Sequence, residues 1–174
     1  AFDLPGHGRS PGKRGHIRRF EDYLEPLREF IGDQKPVLIG HSLGGLVATY
    51  YAIEHPETVR CLILSSPLWG LNLPVSASKR FLARLLSPLW PSLTFKRPRL
   101  EGASLSHDPE VEQRYLSDPL VHFDASIRLY TELRDRMGAL PGALARLTVP
   151  LLLMQAGEDR VVSAEAVKRL ARVL

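Results

Sequence analysis

Ten residues constrain this chain more than any others: Pro36-Val37-Leu38-Ile39-Gly40-His41-Ser42-Leu43-Gly44-Gly45. They open as an unbroken apolar run, Pro36 to Gly40, the pattern of a short strand buried on both faces. They end in glycines, and an Ala- and Leu-rich helical stretch runs from Leu43 to His55, where Pro56 stops it. The turn between strand and helix reads G-x-S-x-G, and in that setting the serine hydroxyl is lifted clear of the sheet. Crowding in such a turn calls for small residues two before and two after the serine, here Gly40 and Gly44. Gly45 removes a further Cβ where helix and sheet approach. The helix start aims backbone N–H groups at Ser42, with Leu43 N–H the expected first donor to a developing oxyanion. His41 is expected to turn its side chain into the fold. Two other glycine-loop readings fail. Leu46-Val47 stand where a phosphate loop needs Lys and Ser/Thr, and Pro11 replaces the third glycine of a dinucleotide fingerprint starting at Gly6.

The rest of the chain repeats the strand–helix alternation. Residues 20–31 space Phe20, Tyr23, Leu24, Leu27, Phe30 and Ile31 by threes and fours, as in an amphipathic helix, although Pro26 sits inside it. Cys61–Leu64 and Val149–Ala156 are two more buried-strand candidates. Ser163 to Leu174 reads as a final helix, with Ser163 as N-cap and Ala166, Val167, Leu170, Val173 and Leu174 on one face. This order implies an α/β fold with a parallel sheet. More than 80 residues between the last two strands fit no strand. Helical patterns fall there at about 76–90 and at 109–138, with a break near Asp118-Pro119. The expected organisation is core at 1–66, a helical cap at 67–147, and core again at 148–174.

Composition excludes several classes. At 174 residues, 44% hydrophobic and 24% charged, the chain is neither disordered nor collagen-like. No apolar run nears the roughly 20 residues of a membrane span. The lone Cys61 forms no internal disulfide and no thiolate zinc cluster, which suits a reducing, cytoplasmic setting. Lys79, Arg80, Arg84, Lys96, Arg97 and Arg99 lie in a stretch, 67–100, without a single acid. This is either a solvated face or one drawn to anionic lipid or substrate. No nucleic-acid reading motif accompanies it.

A serine nucleophile needs a base, and the base needs an acid to orient it. Asp159, in Gly157-Glu158-Asp159-Arg160-Val161-Val162 just past the third strand candidate, occupies the expected place, with Glu158 its neighbouring competitor. Together with Asp3-Leu4-Pro5-Gly6-His7-Gly8-Arg9-Ser10 and Arg14-Gly15-His16, these motifs make the chain resemble an α/β-hydrolase. The branch it resembles contains monoacylglycerol lipases and lysophospholipases, often grouped with serine aminopeptidase-like hydrolases. The resemblance implies Ser42 as nucleophile, Asp159 as triad acid, Leu43 as oxyanion donor, and no metal or organic cofactor. It implies a lipid ester substrate, a monoacylglycerol or lysophospholipid. A peptidase, a short-chain esterase, or a non-catalytic binding module on the same fold are the alternatives.

The departures from that pattern are specific. The triad histidine should follow Asp159, yet the last histidine is His122. A second oxyanion donor and the first sheet strands should lie upstream of Ala1. Both ends therefore read as internal to a longer chain, and a sheet so shortened is expected to expose apolar strand faces. In the cap, Phe81, Leu82, Leu85, Leu86, Leu89 and Trp90 share a helical face beside Lys79, Arg80 and Arg84. That helix either packs its apolar face inward or meets a membrane surface. Leu68, Trp69 and Leu71 are candidates to line an acyl channel, Trp69 serving equally well as a packing residue at the hinge.

Overall fold

The computed structural model describes residues 1–72, 75–96 and 106–174. Its elements in chain order are α1 (Glu21–Ile31), β1 (Val37–His41), α2 (Ser42–Glu54), β2 (Cys61–Ser65), α3 (Ala77–Leu86), β3 (Thr94–Lys96), α4 (Pro109–Ser117), β4 (Asp124–Ser126), α5 (Ile127–Leu144), β5 (Leu151–Met154) and α6 (Ala164–Ala171). They group into two units, residues 23–73 with 136–174 and residues 1–22 with 74–135.

The first unit holds the parallel sheet, in the order β1-β2-β5. Its register aligns Leu38 with Leu62 and Leu62 with Leu151, and Ile39 with Ile63 and Ile63 with Leu152. Side chains alternate across a strand, so these two rows face opposite sides of the sheet. Leu62 and Leu64 are fully buried. On their side lies α2, which is apolar all round and buried continuously from Gly45 to Ile53, as an all-apolar helix must be. The opposite row is uncovered: Ile39 is 68% exposed and Leu152 54%. The apolar exposure expected of the strands is therefore present. The expectation that β1 is buried on both faces is not met, because only the α2 side is covered.

Boundaries shift in physically readable ways. Ser163 caps α6, its hydroxyl accepting from Ala166 N–H at 3.2 Å. The helix stops at Ala171, however, leaving Val173 and Leu174 exposed beyond it rather than on its buried face. Pro26 and Pro141 are both accommodated inside helices.

The second unit corrects the strand count. Within the stretch expected to hold no strand, β3 and β4 form a short antiparallel pair, Phe95 opposite Ala125. The helical reading at 109–138 divides into α4 and α5 with nine residues between them, not at a single break. Asp118 takes an extended conformation (φ −70°, ψ 119°) ahead of Pro119, as residues before proline do. The N-terminal loop binds this pair: Gly15 (φ +62°) lies so close to Asp124 O that no Cβ fits there, and Ser126 N–H donates to Gly15 O at 2.8 Å. Helix α3 has no buried residue, and Phe81 is 72% exposed. Of the basic stretch, Arg97 and Arg99 lie outside the described residues. Among the described residues no helix is long and apolar enough to cross a membrane.

Candidate active site

The β1–α2 junction is as sharp as its sequence implies. His41 is extended (φ −114°, ψ 139°), and Ser42 already opens the helix with φ +49°. A positive φ is costly for any side chain with a Cβ, and for an L-residue it marks a position held by its surroundings. At Gly40 a Cβ would stand 2.6 Å from Gly44 O and 2.8 Å from Gly45 Cα. At Gly45 it would stand 2.8 Å from both Cα and Cβ of Pro67, just past β2. At Gly44 it would meet nothing within 4 Å. Crowding therefore requires glycine at 40 and 45, and the steric reason given for Gly44 does not hold.

The helix start is electrostatically open. No side chain caps α2 and no acidic residue lies in its first turn. Its first N–H groups, Leu43 among them, have no intrahelical partner by geometry, and the helix dipole favours negative charge there. His41 does not turn into the fold. It lies on the uncovered sheet face, where its Nδ1–H donates to Ser65 O at 2.9 Å.

Asp159 follows β5 on a tight turn. Its Oδ1 accepts from Val161 N–H (2.9 Å) and Val162 N–H (2.8 Å). Oδ2 has no partner among the described residues, so one carboxylate oxygen is fixed and the other is available. Glu158 is exposed, whereas Asp159 is half-buried. Ser42 and Asp159 thus both lie past the C-terminal ends of strands in one parallel sheet, where open α/β sheets bind their ligands.

The segment leaving β2 joins these two positions, and most of it escaped the sequence reading. Ser66, like Ser42, is a non-glycine residue with a positive φ, +40°. Its N–H donates to Met154 O at 2.8 Å and its Oγ accepts from Ala156 N–H at 3.3 Å. Leu68 N–H donates to Ser42 O at 2.9 Å. Trp69 is only 2% exposed, and its indole N–H donates to Thr49 Oγ1, which donates in turn to Gly45 O. Between the two roles open to Trp69, this burial favours packing. Leu71 forms an isolated antiparallel bridge with Val162. The Ser66-Pro67 pair and the amide of Asn72 amid apolar residues were the available signals.

Four further histidines make contacts with their surroundings. His55 ends α2, its N–H donating to Tyr51 O at 2.8 Å. In the other unit, His7 and His122 meet with tilted rings, 4.9 Å between centroids. His16 Nδ1 lies 2.9 Å from Ser126 Oγ, and burial, with help from Lys13, lowers its pKa below the ordinary 6.5. Burial also raises the pKa of Tyr50, whose hydroxyl donates to Arg136 O at 2.6 Å.

Comparison with known proteins gives the family and the fold. The sequence pattern of the family described as serine aminopeptidase, S33, matches residues 1–174. The chain belongs to that family. A monoacylglycerol lipase of Mycolicibacterium smegmatis is 32% identical over 170 residues, covering 93% of this chain and 60% of the relative. The phospholipase YtpA of Bacillus subtilis is 35% identical over 170 residues, covering 92% and 64%. The crystal structure of a Paleococcus ferrophilus monoacylglycerol lipase superposes with a TM-score of 0.91 at 35% identity, covering all of this chain and 68% of that one. The fold is accordingly that of an α/β-hydrolase, and the chain spans about three-fifths of the length of the curated relatives it matches.

Proposed function

We propose that this chain is the nucleophile- and acid-bearing part of a serine ester hydrolase acting on monoacylglycerols or lysophospholipids. The observation that carries the reading is the strained Ser42 at an uncapped helix start, on the same sheet end as an Asp159 with one oxygen pinned and one free. Ser42 Oγ attacks the ester carbonyl carbon and passes its proton to a histidine supplied outside these 174 residues. Leu43 N–H holds the oxyanion of the tetrahedral intermediate. Collapse breaks the bond to the alcohol, which takes the proton from the imidazolium. Water then attacks the acyl-serine by the same route, releasing the fatty acid and restoring Ser42. Asp159 Oδ2 accepts the imidazole N–H and stabilises the imidazolium.

The names of the relatives support lipid esters as the substrate class. Residues 67–147 act as the cap, with Leu68 and Leu71 at its entrance. On α3, the exposed Phe81, Leu82 and Leu85 beside Lys79 and Arg80 suit contact with an anionic bilayer surface. The family description names aminopeptidases, so aminoacyl amides form the second reading. A non-catalytic module is the third, and it predicts no hydrolysis at all.

The test uses the protein with its flanking segments. A fluorophosphonate probe should label Ser42, and long-chain monoacylglycerol should turn over faster than short nitrophenyl esters or aminoacyl amides. Labelling that survives Ser42→Ala refutes the assignment. The 174 residues alone should be nearly inert, since loss of a triad base costs on the order of 10⁶ in kcat.

A further inference from the structure

We infer that Asn72 is a positioning residue for the triad acid, holding the Asp159 turn by its backbone carbonyls while the Asp159 carboxylate holds it by its backbone N–H groups. The inference rests on the proposed role of Asp159. The turn of residues 159–162 directs the N–H groups of Val161 and Val162 inward to Asp159 Oδ1. The carbonyls of Asp159 and Val162 are both engaged by one atom. Asn72 Nδ2 donates to Asp159 O at 2.8 Å and to Val162 O at 3.3 Å.

The chemistry selects an amide. Two carbonyls converging on one side-chain atom need two N–H donors on that atom at short reach, which the Asn NH₂ group supplies. An aspartate there would set a carboxylate against two carbonyl oxygens. An alanine would leave the turn to solvent.

The backbone keeps Asn72 in place. Its N–H donates to Val161 O at 3.0 Å, and Ser163 N–H donates to Gly70 O at 3.0 Å. Gly70 packs so closely on α6 that a Cβ there would come within 2.5 Å of the Ala166 Cβ. Four residues earlier the same segment grips the nucleophile, through Leu68 N–H on Ser42 O. One stretch, Ser66 to Asn72, therefore runs from the backbone of Ser42 to the backbone of Asp159. Asn72 is its last polar contact, and it sets where Oδ2 points.

The experiment has two arms. Hydrogen exchange on the 174-residue chain should show the Val161 and Val162 amides exchanging faster in Asn72→Ala, and faster still in Asn72→Asp. The amides of Leu62 to Leu64 should keep their protection, showing that the fold is intact. In the protein with its flanking segments, Asn72→Ala should lower kcat by about tenfold to a hundredfold with KM unchanged, the scale of a misplaced catalytic group. In an Asp159→Asn background the same substitution should cost nothing further. Unchanged exchange at Val161 and Val162 overturns the inference. So does an equal loss with and without the Asp159 carboxylate, because Asn72 would then act elsewhere. Inertness of the unsubstituted protein toward ester and probe would instead refute the serine-hydrolase reading, and the exchange arm would still decide whether Asn72 sets the turn.

Discussion

Gly44 and Gly45 stand side by side in α2, and alanine should act on them with opposite sign. Alanine in a helix is favoured over glycine by about 0.5–1 kcal/mol, because glycine loses more backbone freedom on folding. At Gly44 the new methyl meets nothing within 4 Å, so that gain is retained. At Gly45 it meets the Cα and Cβ of Pro67 at 2.8 Å. These are ring and backbone atoms that cannot swing aside. Overpacking of this kind costs about 1–3 kcal/mol, which leaves a net loss of up to about 2.5 kcal/mol after the helix gain. The helix gain is common to both, so the two variants should differ by the overpacking cost, roughly 1–3 kcal/mol, or about 2–12 °C in melting temperature for a chain of this size. Thermal unfolding followed by Trp69 fluorescence in a Trp90→Phe background is the assay, since Trp69 is buried against α2 and Trp90 is exposed. Equal destabilisation by the two substitutions would refute the reasoning. It would mean that Gly44 too is required for space.

Three further substitutions test other parts of the argument. Ser42→Gly should stabilise the chain by about 1 kcal/mol in urea unfolding by relieving the positive φ, while Ser42→Ala should not; equal effects would mean that Ser42 carries no backbone strain. Asp159→Asn keeps an acceptor for Val161 and Val162 N–H but loses the free carboxylate oxygen, so kcat should fall by about 10⁴ with the fold retained, and Glu158→Gln should change little. A loss below about tenfold for Asp159→Asn would remove it from the triad. The third concerns pH. His16 has a folded pKa below 6.5, from burial first and Lys13 next, with Asp22 opposing and Arg128 adding to the decrease. Its neutral form is therefore the one the fold favours, and its contribution is complete above 6.5. That contribution is lost as pH falls through the folded pKa, where the unfolded chain holds more protons. Urea midpoints should fall between pH 7 and 5, less steeply in His16→Asn; identical slopes would contradict the assignment.

The parts of this fold that could be read from sequence are those whose causes lie close together in the chain. The apolar run and Gly40 are enough to announce β1 and the turn, because the atoms that crowd Gly40 belong to Gly44, Gly45 and Ala48. Gly45 could be read as a close approach of helix to sheet, but that the approaching atoms belong to Pro67 on another strand's exit, and that Gly44 meets nothing, was not legible. Strands β3 and β4 are three residues each, Thr-Phe-Lys and Asp-Ala-Ser, too short to carry a period. Their pairing depends on the N-terminal loop reaching Ser126. Asp159 could be located by its place after β5. The direction of its carboxylate could not, because Val161, Val162 and Asn72 determine it together.

The same distinction explains how the candidate site tolerates its strain. The two non-glycine residues with positive φ among the described residues, Ser42 and Ser66, follow neighbouring strands of one sheet. Each costs roughly 1–2 kcal/mol by conformation alone. Each is also tied by backbone hydrogen bonds to chain remote in sequence: Ser42 O to Leu68 N–H, and Ser66 N–H to Met154 O. A net contribution of about 1 kcal/mol per hydrogen bond offsets a substantial part of that cost. Behind them the Trp69–Thr49–Gly45 relay fixes the first turns of α2 from the buried side. The serine is therefore held in an unfavourable conformation by contacts that do not involve its hydroxyl. Among the described residues no hydrogen bond engages the hydroxyl, which leaves it able to meet the base that the proposed mechanism requires.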